Sequence, residues 1–217
     1  MSKLKKFWDN ASKNYDNTEE RFEYIHRKSR EYTKEYLETT NVVLDYGCGT
    51  GTTACEIANY VKEIYAIDIS SKMIEISNGK AVDNNIENIT FVEGDIFDEK
   101  LKKESFDRIL AFNMLHTIPN PENAVQRVNE LLKPDGLFIS ITPCLRDKMS
   151  FLVSLQIRLV QIMCKIGIIP VPIRRVKSSD IDDLIANGNF QTIDTEKIYK
   201  GASSYFIVAK KRVQIEK

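Results

Sequence analysis

A chain of 217 residues is long enough for one domain with a sizeable core and short for two. With 42% hydrophobic residues, nine glycines and six prolines, it has the composition of a folded globular protein rather than a disordered one. Its 31 basic and 31 acidic residues cancel, which argues against a protein that holds nucleic acid chiefly through phosphates.

Residues 1–39 read as a polar, helix-prone leader. Its opening, MSKLKKFWDN, carries positive charge with no apolar core behind it, so it is not expected to act as a secretory signal. Val42–Tyr46 is a short apolar run with β-branched residues that ends in glycines, the pattern of a buried strand entering a tight turn. Helix is expected over Thr52–Val61, strand over Glu63–Ile67, and helix over Ser71–Asn84 with Ser70 or Ser71 as its N-cap. Strands follow at Ile89–Val92 and Phe106–Phe112. Pro121 opens a helix running to about Lys133, closed by the turn Pro134-Asp135-Gly136, and Leu137–Thr142 is a fifth strand. Ser178–Asn187 is a short helix, and Phe190–Tyr199 and Ser203–Lys211 are strands too closely joined to do anything but pair as a hairpin. The alternation predicts an α/β fold: a seven-stranded, mostly parallel sheet with helices on both faces and an antiparallel C-terminal hairpin. We read one domain over 1–217. It comprises a helical leader (1–39), a core (40–142), an apolar insertion (143–177) and a C-terminal helix with hairpin (178–217).

Cys48, Cys55, Cys144 and Cys164 form no CxxC pair, and His26 and His116 lie far from them, so no metal site is expected. Reduced thiols and a cytoplasmic protein, with a location peripheral to the membrane as an option, are the corresponding expectation. The chemical centre is LDYGCGTG (44–51), where a strand runs into Gly47, Gly49 and Gly51 and then into a helix. Glycine is used where a side chain would block a ligand's approach or where positive φ is needed. In an open α/β sheet ligands settle at the carboxyl ends of strands. Asp68 ends the second strand, 17 residues after Gly51, where a carboxylate can accept both hydroxyls of a ribose. Asp95 follows the third strand, where it can accept from an exocyclic adenine amine while Ile96 offers a backbone N–H. Each acidic residue has a plainer reading as a turn or cap residue.

These motifs in this order, over roughly residues 40–145, resemble the class I S-adenosylmethionine-dependent methyltransferases, and in particular the small-molecule group that includes the ubiquinone-biosynthesis type. VVLDYGCGTG, YAIDIS, FVEGDIFD, FDRILAFNMLHTIPNP and LLKPDGLFIS carry the resemblance. It implies a Rossmann-like sheet, S-adenosyl-L-methionine as methyl donor and S-adenosyl-L-homocysteine as product. It further implies that Asp45 and the backbone of Gly47, Cys48 and Gly49 hold the methionine end, with Asn113 beside it. Asp68 holds the ribose, Ile69 and Met73 pack on the adenine, and Asp95 with Ile96 reads its edge. The leader segment FWDNASKNYD is similar to one common in the family, with Ala11 one place early, and makes Tyr15 a candidate for contact with the cofactor carboxylate or for closing over it. A dinucleotide oxidoreductase is the competing reading. Its GxGxxG fingerprint is not met, because Thr52 stands where the last glycine would fall, and no second half-sheet follows the fifth strand.

Methyl transfer from a sulfonium is an in-line displacement in which alignment alone is worth ~7–11 kcal/mol, so a strong base is optional. After the fourth strand the chain reads Asn113-Met114-Leu115-His116 rather than a proline-rich amine clamp. His116 is the candidate general base, with a turn or packing role as its alternative. No cysteine is assigned a catalytic role. Acceptor choice is expected to lie in the leader and in residues 143–177, which contain the apolar stretch MSFLVSLQIRLVQIMCKIGII (149–169). Its polar residues Ser150, Ser154, Arg158, Gln161 and Lys165 form one helical stripe, and Gly167 and Pro170 end it. A membrane span, a packing helix or dimer contact, and a lid or bilayer-surface helix are the three readings. Arg158 at the centre disfavours the span. The expected partner is a small lipophilic acceptor, with peripheral membrane contact or a homodimer through 149–169; nucleic acid is disfavoured. A non-catalytic cofactor-binding scaffold and an RNA methyltransferase remain as alternatives.

Overall fold

The computed structural model describes residues 2–212, so Met1 and the last five residues assigned to the C-terminal segment lie outside the described residues. Three helices make up the leader: α1 (Lys3–Ala11), α2 (Tyr15–Glu19) and α3 (Glu23–Lys34), with short 3₁₀ turns between them. The core follows as β1 (Val42–Tyr46), α4 (Thr52–Ile57), β2 (Glu63–Asp68), α5 (Ser71–Asp83), β3 (Ile89–Glu93), β4 (Phe106–Phe112), α6 (Pro121–Leu131) and β5 (Leu132–Pro143). Then come α7 (Phe151–Lys165), α8 (Ser178–Asn187), β6 (Phe190–Lys200) and β7 (Ala202–Lys211).

The strands form one seven-stranded sheet in the order β3-β2-β1-β4-β5-β7-β6. The pairs β1–β2, β1–β4, β2–β3 and β4–β5 are parallel. β7 runs antiparallel to both β5 and β6. The expected hairpin therefore inserts its second strand into the sheet, and β6 at the edge points the same way as the core strands. The strand order reverses between β1 and β4, so the first and fourth strands open a crevice at their carboxyl ends, where an α/β sheet binds its ligand.

Strand alternation divides the core cleanly. Leu44, Ile67, Ile109 and Phe138 face α6 and α8 on one side. Val43, Ala66, Leu110 and Ile139 face α3, α4 and α5 on the other. Most strand and helix limits fall within a residue or two of those expected, and Ser70 caps α5 by accepting from the Met73 N–H. Two differ. α4 is α-helical only to Ile57, with its last turn tightened to 3₁₀ over Ala58–Tyr60 before Val61 turns extended. α6 stops at Leu131, because Leu132 pairs with Phe106; the expected turn lies within a bulge between Phe106 and Arg108, with Asp135 at positive φ.

The apolar stretch forms α7, capped by Ser150 and followed by Gly167 at φ +77°. It leans on the β6–β7 turn: the Ser150 N–H donates to the Gly201 carbonyl at 2.7 Å, and Met149 bridges to Ala202. None of its residues is buried.

Candidate active site at the carboxyl ends of the strands

The glycine loop leaves β1 with Gly47, Gly49 and Gly51 all at positive φ. The Gly47 and Cys48 N–H groups donate to the Ile67 carbonyl at 2.8 and 3.0 Å, which ties the loop to the end of β2. Asp68 completes the tie: one carboxylate oxygen accepts from the Gly49 N–H at 3.1 Å and the other from the Ser70 N–H at 2.8 Å. A side chain on Gly47 would stand 2.7 Å from the Met114 sulfur, and one on Gly51 would stand 2.6 Å from Ser77 Cβ. The first glycine keeps a cavity wall thin; the second lets the start of α4 pack against α5.

The leader is stitched over this loop. Asp9 accepts from the Ser70 hydroxyl at 2.7 Å. Asp16 accepts from the Thr50 hydroxyl at 2.6 Å and pairs with Lys80 at 2.8 Å, and Lys80 also donates to the Thr50 and Thr52 hydroxyls. Tyr15 lies against Gly49 and meets Trp8 edge to face at 6.4 Å. Burial, with Glu19 adding, pushes its phenol well above the usual value.

Tyr15, Gly47, Phe112 and Asn113 border two cavities, of about 500 and about 540 Å³. The first is lined by Asp68, Ile69, Met73, Asp95 and Phe97, and towards α6 by Met114 and Ile118. The second is polar and acidic, with Asp45, Cys48, Glu19, Glu23 and His26 in its wall. Asp45 is buried, and one of its carboxylate oxygens has no hydrogen-bond partner. Burial, with the nearby Asp68 charge, pushes its pKa up to about 7. Burial also raises Asp68, against the two backbone N–H groups that lower it, and lifts the Cys48 thiol well above its ordinary range. His26 Nε2 lies 3.1 Å from Glu19 Oε2 and 3.1 Å from the side-chain amide of Asn113. Burial, then the Arg30 charge, lowers the His26 pKa, while burial and Asp16 push Glu19 up to about 7. Asn113 adopts φ +54°, held there by its N–H donating to Ile141 at 2.9 Å.

Residues 37–195 match the family model described as a methyltransferase domain. The chain belongs to the class I S-adenosylmethionine-dependent methyltransferases. The uncharacterized methyltransferase YcgJ of Bacillus subtilis is 32% identical over 99 residues, 46% of this chain and 39% of that protein. Its crystal structure superposes with a TM-score of 0.70 at 18% identity, covering 87% of this chain and all of that one. A ubiquinone biosynthesis O-methyltransferase of Haemophilus ducreyi is 33% identical over 104 residues, 45% of this chain and 44% of that protein. A demethylmenaquinone methyltransferase of Staphylococcus aureus is 28% identical over 142 residues, 62% of this chain and 57% of that protein. The matches span about half the length of these curated relatives.

The methyltransferase's residues fit the donor that its family uses. An unpartnered, buried carboxylate oxygen on Asp45 suits an ammonium group, and a glycine wall at Gly47 leaves room where any Cβ would intrude. Asp68, Ile69, Met73 and Asp95 line the first cavity together, and Asp45 and Cys48 line the second, with Tyr15, Gly47 and Asn113 between. Gly49 lines the first as well. Ile96 has its side chain fully buried in the core, which leaves its backbone N–H for the role expected of it, and Phe97 lines the first cavity beside Asp95. His116 is corrected more sharply. It lines neither cavity, its Nδ1 is buried without a partner, and desolvation drops its pKa to about 4. Neutral and turned into the protein, it is not placed to take a substrate proton; its carbonyl instead accepts from the Arg174 N–H at 2.9 Å. His26, which the sequence reading considers only as a metal ligand, and Glu19, which it does not single out, stand at the cavity instead. Their only signal in sequence was a histidine in the same leader as Tyr15.

Proposed function

We propose that the chain transfers a methyl group from S-adenosyl-L-methionine to a small, lipophilic acceptor, with His26 as the group that takes the acceptor's proton. When bound, the cofactor supplies an electrophilic methyl on a sulfonium and departs as S-adenosyl-L-homocysteine. Asp45, Gly47, Cys48 and Gly49 would hold its methionine end, Asp68 its ribose, and Ile69, Met73, Asp95 and the Ile96 backbone its adenine. Tyr15 lies over Gly49 and meets Trp8, which would shield the loop from solvent, and desolvation favours a step that disperses the sulfonium charge.

The observation that carries the acceptor reading is the apolar wall of Leu4, Trp8, Met114, Ile118 and Pro119 beside Asn113. A lipophilic body fits this wall. The second cavity carries five carboxyl groups, Asp16, Glu19, Glu20, Glu23 and Asp45, against Arg30 and Lys80, an acidic balance that weighs against a phosphate backbone and so against RNA. Two relatives are named for ubiquinone and demethylmenaquinone, both lipophilic quinones. Burial lowers the His26 pKa, so its imidazole is neutral near pH 7 and can take a proton at the edge of the second cavity, beside Asn113, which borders both cavities.

The test is a screen of lipophilic phenols, quinols, thiols and amines for transfer of a labelled methyl. With an acceptor in hand, His26→Gln should lower kcat by roughly 10²–10⁴-fold and flatten the fall in rate on acidification, while leaving cofactor affinity unchanged. A variant with wild-type rate and pH profile would remove His26 from the mechanism. Turnover of RNA alone would overturn the acceptor class.

A further inference from the structure

Of the large apolar side chains that the protein exposes, eight fall in the eighteen residues from Phe151 to Ile168. At about 100° per residue, Phe151, Leu152, Leu155, Leu159, Ile162 and Ile166 fall within one arc of about 120° on and just beyond α7. Phe151 is 81% exposed and Leu152 71%. The opposite face, Val153, Ile157, Val160 and Cys164, is the half-buried one. The helix therefore turns its greasier face outward, which an ordinary solvated helix does not do.

We infer that α7 is a docking helix that lies in the surface of an anionic lipid bilayer. The charges around it choose the occupant. From Arg146 to Lys177 there are seven basic residues and one acidic in a chain of zero net charge. Arg158 and Lys165, both exposed, flank the apolar arc on one side, where their stems can lie along lipid and their heads reach phosphates. Exposed Arg146, Lys148 and Lys177 stand at the two ends of the segment. A second copy on the same face would bring two such basic segments together, whereas an anionic surface neutralises them. The helix lies on the bilayer and does not cross it: fifteen residues span about 22 Å against a hydrocarbon core of about 30 Å. No helix among the described residues is long and apolar enough to cross a membrane.

The docking surface is joined to the candidate site. After α7 the chain returns over 170–177, where Arg174 donates from its backbone to the His116 carbonyl and from its guanidinium to the Pro119 carbonyl. Thr117, Ile118 and Pro119 line the first cavity. This strap ties the bilayer-facing helix to the wall that the proposed acceptor touches. The docking itself does not depend on the acceptor reading, and its test needs neither cofactor nor acceptor.

That test is flotation of the full chain with phosphatidylcholine vesicles, with and without phosphatidylglycerol. The protein should float with the anionic vesicles and be released by salt. Leu155→Ser with Leu159→Ser and Ile162→Ser should cut the bound fraction at least about tenfold. Arg158→Gln with Lys165→Gln should weaken binding and reduce its salt dependence. All three apolar positions point outward, so circular dichroism of both variants should match the wild type. The charge variant keeps the test open if the apolar one is misfolded. Wild-type protein that floats with neither vesicle would overturn the inference. So would a dimer, seen by light scattering, that the apolar variant dissociates.

Discussion

Asp45 carries the sharpest conflict at the residue scale. A carboxylate with an unpartnered buried oxygen is suited to a cationic ligand group and costs the ligand-free fold. Its folded pKa, about 7, stands above the ordinary carboxylate value of 3.8, so the folded state binds a proton that the unfolded chain gives up. The stability this confers is complete below about pH 3.8 and is lost as pH rises through about 7. Asp45→Asn removes that loss. Without cofactor it should be more stable than wild type at pH 8, by on the order of a few kcal/mol, with the difference shrinking towards pH 4. The same variant should bind S-adenosyl-L-methionine at least about tenfold more weakly. Thermal melts across pH, read beside calorimetry, check both halves. Equal stability at pH 8 would mean that Asp45 finds a partner.

Between elements, what the sequence disclosed follows from how local each signal is. The strand β1, the turn through Gly47 and Gly51, and the cap at Ser70 all depend on neighbours in the chain, and they lie where the pattern puts them. Gly51 illustrates the limit. The motif demands a glycine, but only the fold reveals that Ser77 Cβ and the Phe91 ring occupy the space beside it. Gly51→Ala, at φ +77°, should therefore cost about 1–3 kcal/mol in denaturant unfolding even though it touches no ligand. A variant of wild-type stability would mean that α4 and α5 can separate freely. The His26–Glu19–Asn113 cluster was invisible for the opposite reason, since 87 residues separate His26 from Asn113 and only the closed leader joins them. His116 misled because it follows a familiar strand, and a residue's distance from a motif does not say which way its ring points. For α7 the periodicity gave a polar stripe correctly. It could not say which of two apolar faces the β6–β7 turn would cover.

On the scale of the whole molecule, the sheet order places the β1–β4 crevice under the leader and leaves α7 on the far flank, over the hairpin. The alternation of strands and helices was sufficient to predict this architecture, because a parallel sheet with right-handed crossovers admits few others. It was not sufficient to show that β7 enters the sheet between β5 and β6, since a hairpin can add to an edge in either order. One fold thus carries two separable surfaces: a crevice covered by Asp9, Tyr15 and Asp16, where we propose that the cofactor binds, and an outward apolar helix joined to it by residues 170–177. The crevice is the central claim, and isothermal titration of the full chain with S-adenosyl-L-methionine and S-adenosyl-L-homocysteine tests it most directly. The account predicts saturable one-to-one binding of both. Asp68→Ala, which removes the carboxylate that lines the first cavity, should weaken it by roughly 10–100-fold. No heat of binding with either compound, from protein whose circular dichroism shows it folded, would contradict the account.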